Sequence, residues 1–141
     1  MPTGTLPPKL QEILDDLSFL SDRRERIDYL IGLGEQFKNP GPDEVVRDPV
    51  SRVPGCESEV YVRAQPKGEG LDLRFAVDNP QGISAMAMAT VLQDSLEGVP
   101  RSEIRNIPEE LVYDLFGRDL SMGKSAGLMG MVRMTKAAAA R

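Results

Sequence analysis

Apolar and polar positions along the chain change period twice, and the changes divide it into three parts. From Lys9 to Leu20 apolar residues recur at Leu10, Ile13, Leu14, Leu17 and Leu20, the spacing of one helix face. Ser21 then reads as an N-cap, with Asp22 in the first turn of a second helix that buries Ile27, Leu30, Ile31 and Phe37. Its other side carries Arg23, Arg24, Glu25, Arg26 and Asp28. A mixed-charge run of this kind is first a solvated face, and a docking surface second. Asn39-Pro40-Gly41-Pro42 ends the helix, because proline lacks the N–H and clashes with the preceding turn. Period two follows. Val60, Val62 and Ala64 alternate with Glu59, Tyr61 and Arg63, and Leu71, Leu73, Phe75 and Val77 alternate with Asp72, Arg74 and Asp78. Each run reads as a strand with one face to the core and one to water, the two joined by a loop over residues 66–70. Residues 51–54 offer a short third strand at the edge.

Helical spacing then returns. Asp78 or Asn79 caps a helix from about Pro80, carrying Ile83, Met86, Ala87, Val91, Leu92 and Leu96 and stopping at Gly98. A short turn over 100–106 packs Ile104 inward. Pro108 to Phe116 forms a helix with Leu111, Leu115 and Phe116 inward and Gly117 as its stop. Ser121 caps a last helix running into Ala137 to Ala140, with Leu128, Met131, Val132 and Met134 on its apolar side. Met122, Met129, Met131 and Met134 read as adaptable core filler, with a partner groove as the other reading. The order of helices, small antiparallel sheet and helices predicts an α+β fold. Residues 1–8, with three prolines, read as a loose lead-in, and residues 9–141 as one domain.

The composition narrows the chemistry. The 141 residues include no histidine and a single cysteine, Cys56. Ser-His-Asp triads, Cys-His dyads and histidine-bound zinc are therefore excluded, as is an internal disulfide. One thiolate without histidine cannot hold an iron–sulfur cluster, so no metal site is expected. The formal net charge of −5 argues against a nucleic-acid partner. Residues 1–10 lack the charged and apolar regions of a signal peptide, and Gly82 to Leu92 is too short to span a bilayer. The expectation is a cytoplasmic protein without a membrane partner. Gly68 and Gly70 follow a strand but open no helix, so they form no phosphate loop.

Cys56 stands in Arg52-Val53-Pro54-Gly55-Cys56-Glu57-Ser58-Glu59-Val60. Pro54 favours an extended Val53, and Pro-Gly is the preferred centre of a type II turn with Gly55 at positive φ. Cys56 is thereby expected at a loop tip just before a strand, within the proline-rich stretch 39–58. Long irregular stretches of this kind carry function or are disordered. A lone cysteine is otherwise most often buried and inert. Arg52 would stabilise a thiolate, and Glu57 and Glu59 would oppose it.

The stretch RVPGCESEV closely resembles the signature of the SufE family of sulfur-acceptor proteins, and the resemblance runs over about residues 10–136. It takes in the helix with Ile27, Tyr29 and Leu30, the loop, the hairpin ending in Phe75-Ala76-Val77-Asp78, and the last helix. There Ser121, Gly127 and Leu128 match the family pattern, while Met122, Gly123 and Lys124 depart from it. The resemblance implies that Cys56 accepts a persulfide sulfur from a cysteine desulfurase and passes it to a downstream acceptor or scaffold of iron–sulfur cluster assembly. Arg52, Val53, Pro54, Gly55, Glu57 and Ser58 would support that cysteine. The chain itself would need no cofactor, since pyridoxal phosphate belongs to the desulfurase, and it would be an accessory protein rather than a stand-alone enzyme. In one alternative the chain is a non-catalytic module that regulates a desulfurase or another enzyme, with Cys56 incidental. In another, Cys56 is a redox sensor that traps oxidant as a sulfenic acid. The long loop and Gly55 lead to one further expectation: Cys56 is tucked against the apolar sheet edge at rest and swings out when a partner docks.

Overall fold

A computed structural model describes residues 6–55, 59–78 and 82–141. Its elements run α1 (Pro8–Ser18), α2 (Arg23–Glu35), β1 (Val60–Lys67), β2 (Gly70–Val77), α3 (Ile83–Leu96), α4 (Arg101–Ile104), α5 (Leu111–Phe116) and α6 (Met122–Ala140). The expected α+β class holds. An antiparallel hairpin packs against α3 and α6, with α1 and α2 also packed on α3.

The hairpin register runs from Val60 opposite Val77 to Lys67 opposite Gly70. The expected five-residue loop is therefore a two-residue turn, Gly68-Glu69. Pro66 and Lys67 stay within β1, where a proline costs little because the strand lies at the sheet edge. The turn is held from outside: Arg101 donates from Nη1 to the carbonyl of Gly70 at 2.8 Å, and its backbone N–H donates to Glu69 O at 2.8 Å.

Helix α3 is the centre of the core. Nine of its residues are buried, including Met88, Val91 and Leu92, which meet Phe75, Leu10, Leu17 and Met131 in one apolar cluster. Ile104, Leu111 and Leu115 join it as expected. Phe116 is only half-buried. Helix α5 begins later than Pro108 because its approach is wound tightly: Leu111, Val112 and Tyr113 each bond three residues back, to Pro108, Glu109 and Glu110. The start of α3 also differs from expectation, with Gly82 at the N-cap and residues 79–81, the expected first turn, outside the described residues. The Asp78 carboxylate instead serves a different segment.

The hairpin departs from simple alternation. Tyr61 and Ala76, on the face expected to meet water, are buried with Val45 in a second, small cluster. The covering is the chain segment 39–53. Arg47 fastens it with four bonds: Nε and Nη2 to the two Asp78 carboxylate oxygens at 3.0 Å, Nη1 to Val45 O at 2.7 Å and Nη2 to Pro40 O at 2.7 Å. Asn39 completes the tie, accepting from the Val77 N–H at 2.9 Å and donating to Asp78 at 3.0 Å. The edge of β2 is thereby served by Asn39 and by Gln93 of α3, whose side chain accepts from the Phe75 N–H at 2.7 Å. Backbone donors need such partners once they leave water.

Helix α2 is the largest departure. Of the residues expected to be buried there, Ile27 is 44% and Ile31 39% exposed, and Leu30 and Phe37 are half-buried. Gly34 alone is fully buried. Where Gly34 meets Ile83, a side chain would begin only 3.1 Å from the Ile83 carbonyl oxygen, so α2 leans on α3 at its C-terminal end. The N-cap is Asp22 rather than Ser21. Its extended backbone turns the carboxylate back to accept from the Arg24 N–H at 3.0 Å. On α6 the cap is Ser121 as expected, accepting from the Lys124 N–H at 3.2 Å. Leu128, Met131 and Val132 are buried and Met134 is half-buried, but Met122 is 88% exposed and fills no core.

Candidate functional site

The candidate site is the turn that leads into the only cysteine. Its approach is an isolated β-bridge at the edge of a two-stranded sheet, not the third strand offered for residues 51–54. Arg52 bridges Tyr61, the Val53 N–H donates to Val60 O at 2.8 Å, and the Val62 N–H donates to Ser51 O at 2.9 Å. Asp48 holds the start of this run, its carboxylate accepting from the Ser51 N–H at 2.8 Å. That bond holds the Asp48 carboxyl below its ordinary value, because the ionised form is the better acceptor.

Val53 is buried in the main core, while Pro54 and Gly55 are exposed. Gly55 has φ +76°, the value of the third residue of a type II turn, so the Pro54-Gly55 turn forms as expected. An L side chain would strain this position. Beneath the turn lies the first half of α6. A Cβ on Gly130 would fall 2.8 Å from Pro54 O and 2.9 Å from a Val53 methyl, and one on Gly55 would fall 3.7 Å from the Ala126 Cβ. Small residues on α6 thus let the turn lie directly on the helix backbone. The path of the chain just before Cys56 is set from two directions, by strand pairing to β1 and by contact with α6.

Cys56, Glu57 and Ser58 lie outside the described residues, so their placement, including the expected tuck against the sheet edge, is not part of this geometry. The chain is again described at Glu59, whose carboxylate accepts from the Tyr61 hydroxyl at 3.1 Å. Burial and that carboxylate raise the Tyr61 hydroxyl above its ordinary value, while Arg52 acts in the opposite sense. Arg52 is exposed. The structure therefore brings Arg52, Val53, Pro54 and Gly55 together at one sheet edge over α6. Among the described residues no group of His, Cys, Asp and Glu is arranged to hold a metal ion.

Residues 11–139 match the SufE family, described as an Fe-S metabolism associated domain. The chain belongs to the SufE family. An uncharacterized SufE-like protein of Rhizobium etli is 33% identical over 128 residues, covering 88% of this chain and 84% of that protein. A second, from Rhizobium meliloti, is 32% identical over 137 residues, covering 92% of this chain and 94% of that one. SufE-like protein 1 of Arabidopsis thaliana, named as chloroplastic/mitochondrial, is 30% identical over 135 residues, which make up 35% of its length. The solution structure of a hypothetical protein from Thermus thermophilus shares the fold, with a TM-score of 0.75 and 22% identity over 96% of both chains. Membership places this SufE chain in iron–sulfur metabolism.

Two features of the structure were not visible in sequence. One is the Arg47 clamp, which needs Asp78, 31 residues away. The other is a cavity of about 490 Å³ between α2, the start of α3 and the α5–α6 connection, lined in part by Ile27, Ile31 and Ile83. The mixed-charge side of α2 was the only sequence signal near it. Among the described residues no helix is long and apolar enough to cross a membrane.

Proposed function

We propose that this SufE-family chain is a sulfur carrier of the cytoplasm whose Cys56 takes persulfide sulfur from a cysteine desulfurase. The observation that carries this reading is the seat of the turn. The only cysteine of the chain follows a Pro54-Gly55 turn held by strand pairing on one side and by α6 on the other. A fixed turn next to a thiol suits delivery of that thiol into another protein's active site.

The transfer is a thiol–disulfide exchange in form. The Cys56 thiolate attacks the outer, sulfane sulfur of the partner's Cys–S–SH. A new S–S bond forms to Cys56, the partner's S–S bond breaks, and its cysteine leaves as a thiolate. Cys56 then carries the S–SH group. One proton lost from the Cys56 thiol balances one gained by the leaving thiolate, so there is no net oxidation or reduction. Pyridoxal phosphate on the desulfurase supplies the preceding carbon–sulfur cleavage. A downstream thiolate repeats the exchange and carries the sulfur toward iron–sulfur cluster assembly. Faster turnover of the desulfurase follows, because its own cysteine is cleared.

Intact mass after incubation with a cysteine desulfurase and cysteine, without reductant, tests the proposal. A gain of about 32 Da per sulfur, absent in Cys56→Ser, is the expected outcome. No gain beside a desulfurase that still binds would move the chain to the class of regulatory modules. Alkylation of Cys56 tests the sheltered resting thiol: slow labelling that accelerates with the desulfurase present is expected, and equal rates would remove that part of the mechanism.

A further inference from the structure

We propose that the cavity between α2, α3 and the start of α6 is the surface on which the desulfurase docks, receiving from it a non-polar side chain flanked by carboxylates. The inference rests on the sulfur-carrier reading and deepens it by assigning the partner's footprint.

The cavity opens to solvent, and its apolar wall is unusual. Ile27, Ile31 and Ile83 are 44%, 39% and 39% exposed and all three line it. Apolar side chains gathered around one concavity, rather than scattered, mark interaction sites. Among the described residues the charged groups lining it are Arg23, Arg26 and Lys124, with Asp119 as the single carboxylate. Asp119 is already paired with Arg23 at 2.7 Å, and Arg26 has turned one arm to donate to Leu17 O at 2.7 Å. The mouth is therefore cationic in a chain whose formal net charge is −5. Lipophilic walls under a positive rim select an acidic, apolar-tipped protein surface, and they disfavour a second copy of this acidic chain.

Position supplies the link to sulfur transfer. Lys124 lines the cavity, and Ala126, two residues further along α6, lies beneath Gly55. Side chains two residues apart on a helix point to opposite sides, so the cavity and the cysteine turn lie against opposite sides of the same first turns of α6. A partner seated in the cavity and reaching around the start of α6 meets the segment that must enter its active site.

The test compares the full chain with Ile27→Glu and Ile31→Ser. Dissociation constants for a pyridoxal-phosphate cysteine desulfurase and stimulation of its turnover are measured, with Phe19→Ser as an exposed apolar control outside the cavity. Both cavity side chains are partly in water, and matched thermal unfolding confirms that the variants fold. The expected result is about tenfold weaker binding for Ile27→Glu, a smaller loss for Ile31→Ser, and none for the control. Wild-type affinity falls as salt rises. Alkylation of Cys56 in the absence of the desulfurase is the same in all four proteins. Wild-type affinity and stimulation in both cavity variants would overturn the docking proposal alone, since Cys56 would still gain sulfur. Loss of self-association in place of desulfurase binding would assign the cavity to a second copy and overturn it too. Absence of sulfur transfer in the wild-type protein would overturn the carrier reading, and the docking proposal with it.

Discussion

The core formed by α3 and the hairpin has two flanks, and they are closed in opposite ways. On one flank the irregular segment 39–53 covers the Tyr61–Ala76 end of the hairpin's outer face, while Gln65, Lys67 and Arg74 further along stay exposed. The segment's polar atoms are engaged by Arg47, Asn39, Asp48 and Arg63, and Tyr61, Ala76 and Val45 are buried beneath it. On the other flank a regular helix, α2, packs on α3, most closely at Gly34, and leaves Ile27 and Ile31 in a cavity. Irregular backbone made the tighter cover because it placed a guanidinium where four acceptors converge. The regular helix made the looser one because, although it packs along α3, it leaves the Ile27 and Ile31 side of its surface without a covering element. Secondary structure and tightness of packing are separate properties.

The comparison breaks if the core does not set the scale of stability. Leu92→Ala removes a fully buried α3 side chain and is expected to cost about 3 kcal/mol in urea-induced unfolding. Arg47→Ala probes the closed flank. Loss of its carboxylate and carbonyl bonds is expected to cost about 2 kcal/mol and to speed alkylation of Cys56, because the segment leading to the cysteine loosens. The same pair gives a signature in acid. Arg47, and then Asn39, hold the Asp78 carboxyl below the ordinary range. A depressed folded-state value means that the contribution is fully present above the unfolded value of about 3.9 and is lost as pH falls through the lower folded value. The gap between wild type and Arg47→Ala is therefore expected to be largest near neutrality and to narrow below about pH 4, leaving the part due to the Val45 and Pro40 carbonyls, read by unfolding at a series of pH values.

Gly55→Ala sharpens the comparison at the end of the closed flank. An alanine at φ +76° is expected to cost about 1 kcal/mol and to alter the alkylation rate of Cys56 more than Leu92→Ala does, measured under conditions where both proteins are folded. The smallest effect belongs to the open flank. Ile31→Ala is expected to change unfolding by less than about 1 kcal/mol while weakening attachment to the desulfurase.

Much of this arrangement was legible in the chain. Period two marked both strands, helical spacing marked the helices, and Ser121 marked the start of α6, because these signals are local. The Pro54-Gly55 turn was legible for the same reason: proline and glycine restrict their own backbone angles wherever they stand. The α2 residues misled because helical spacing shows which positions share a face, not whether another element covers that face. Pro66 misled because a breaker is harmless on an edge strand, and edge position is not a local property.

The sequence by itself determined the element types, the α+β order, the family, and a chemistry narrowed to one thiol in a chain without histidine. The tertiary structure alone decided which apolar faces were covered, joined Arg47 to Asp78, laid the cysteine turn on α6 at Gly130, and opened a cationic cavity on the opposite side of that helix's first turns. The reason is range. Backbone preference and periodicity act over a few residues, whereas burial, ion pairing and concavity depend on groups tens of residues apart that meet only when the chain has folded.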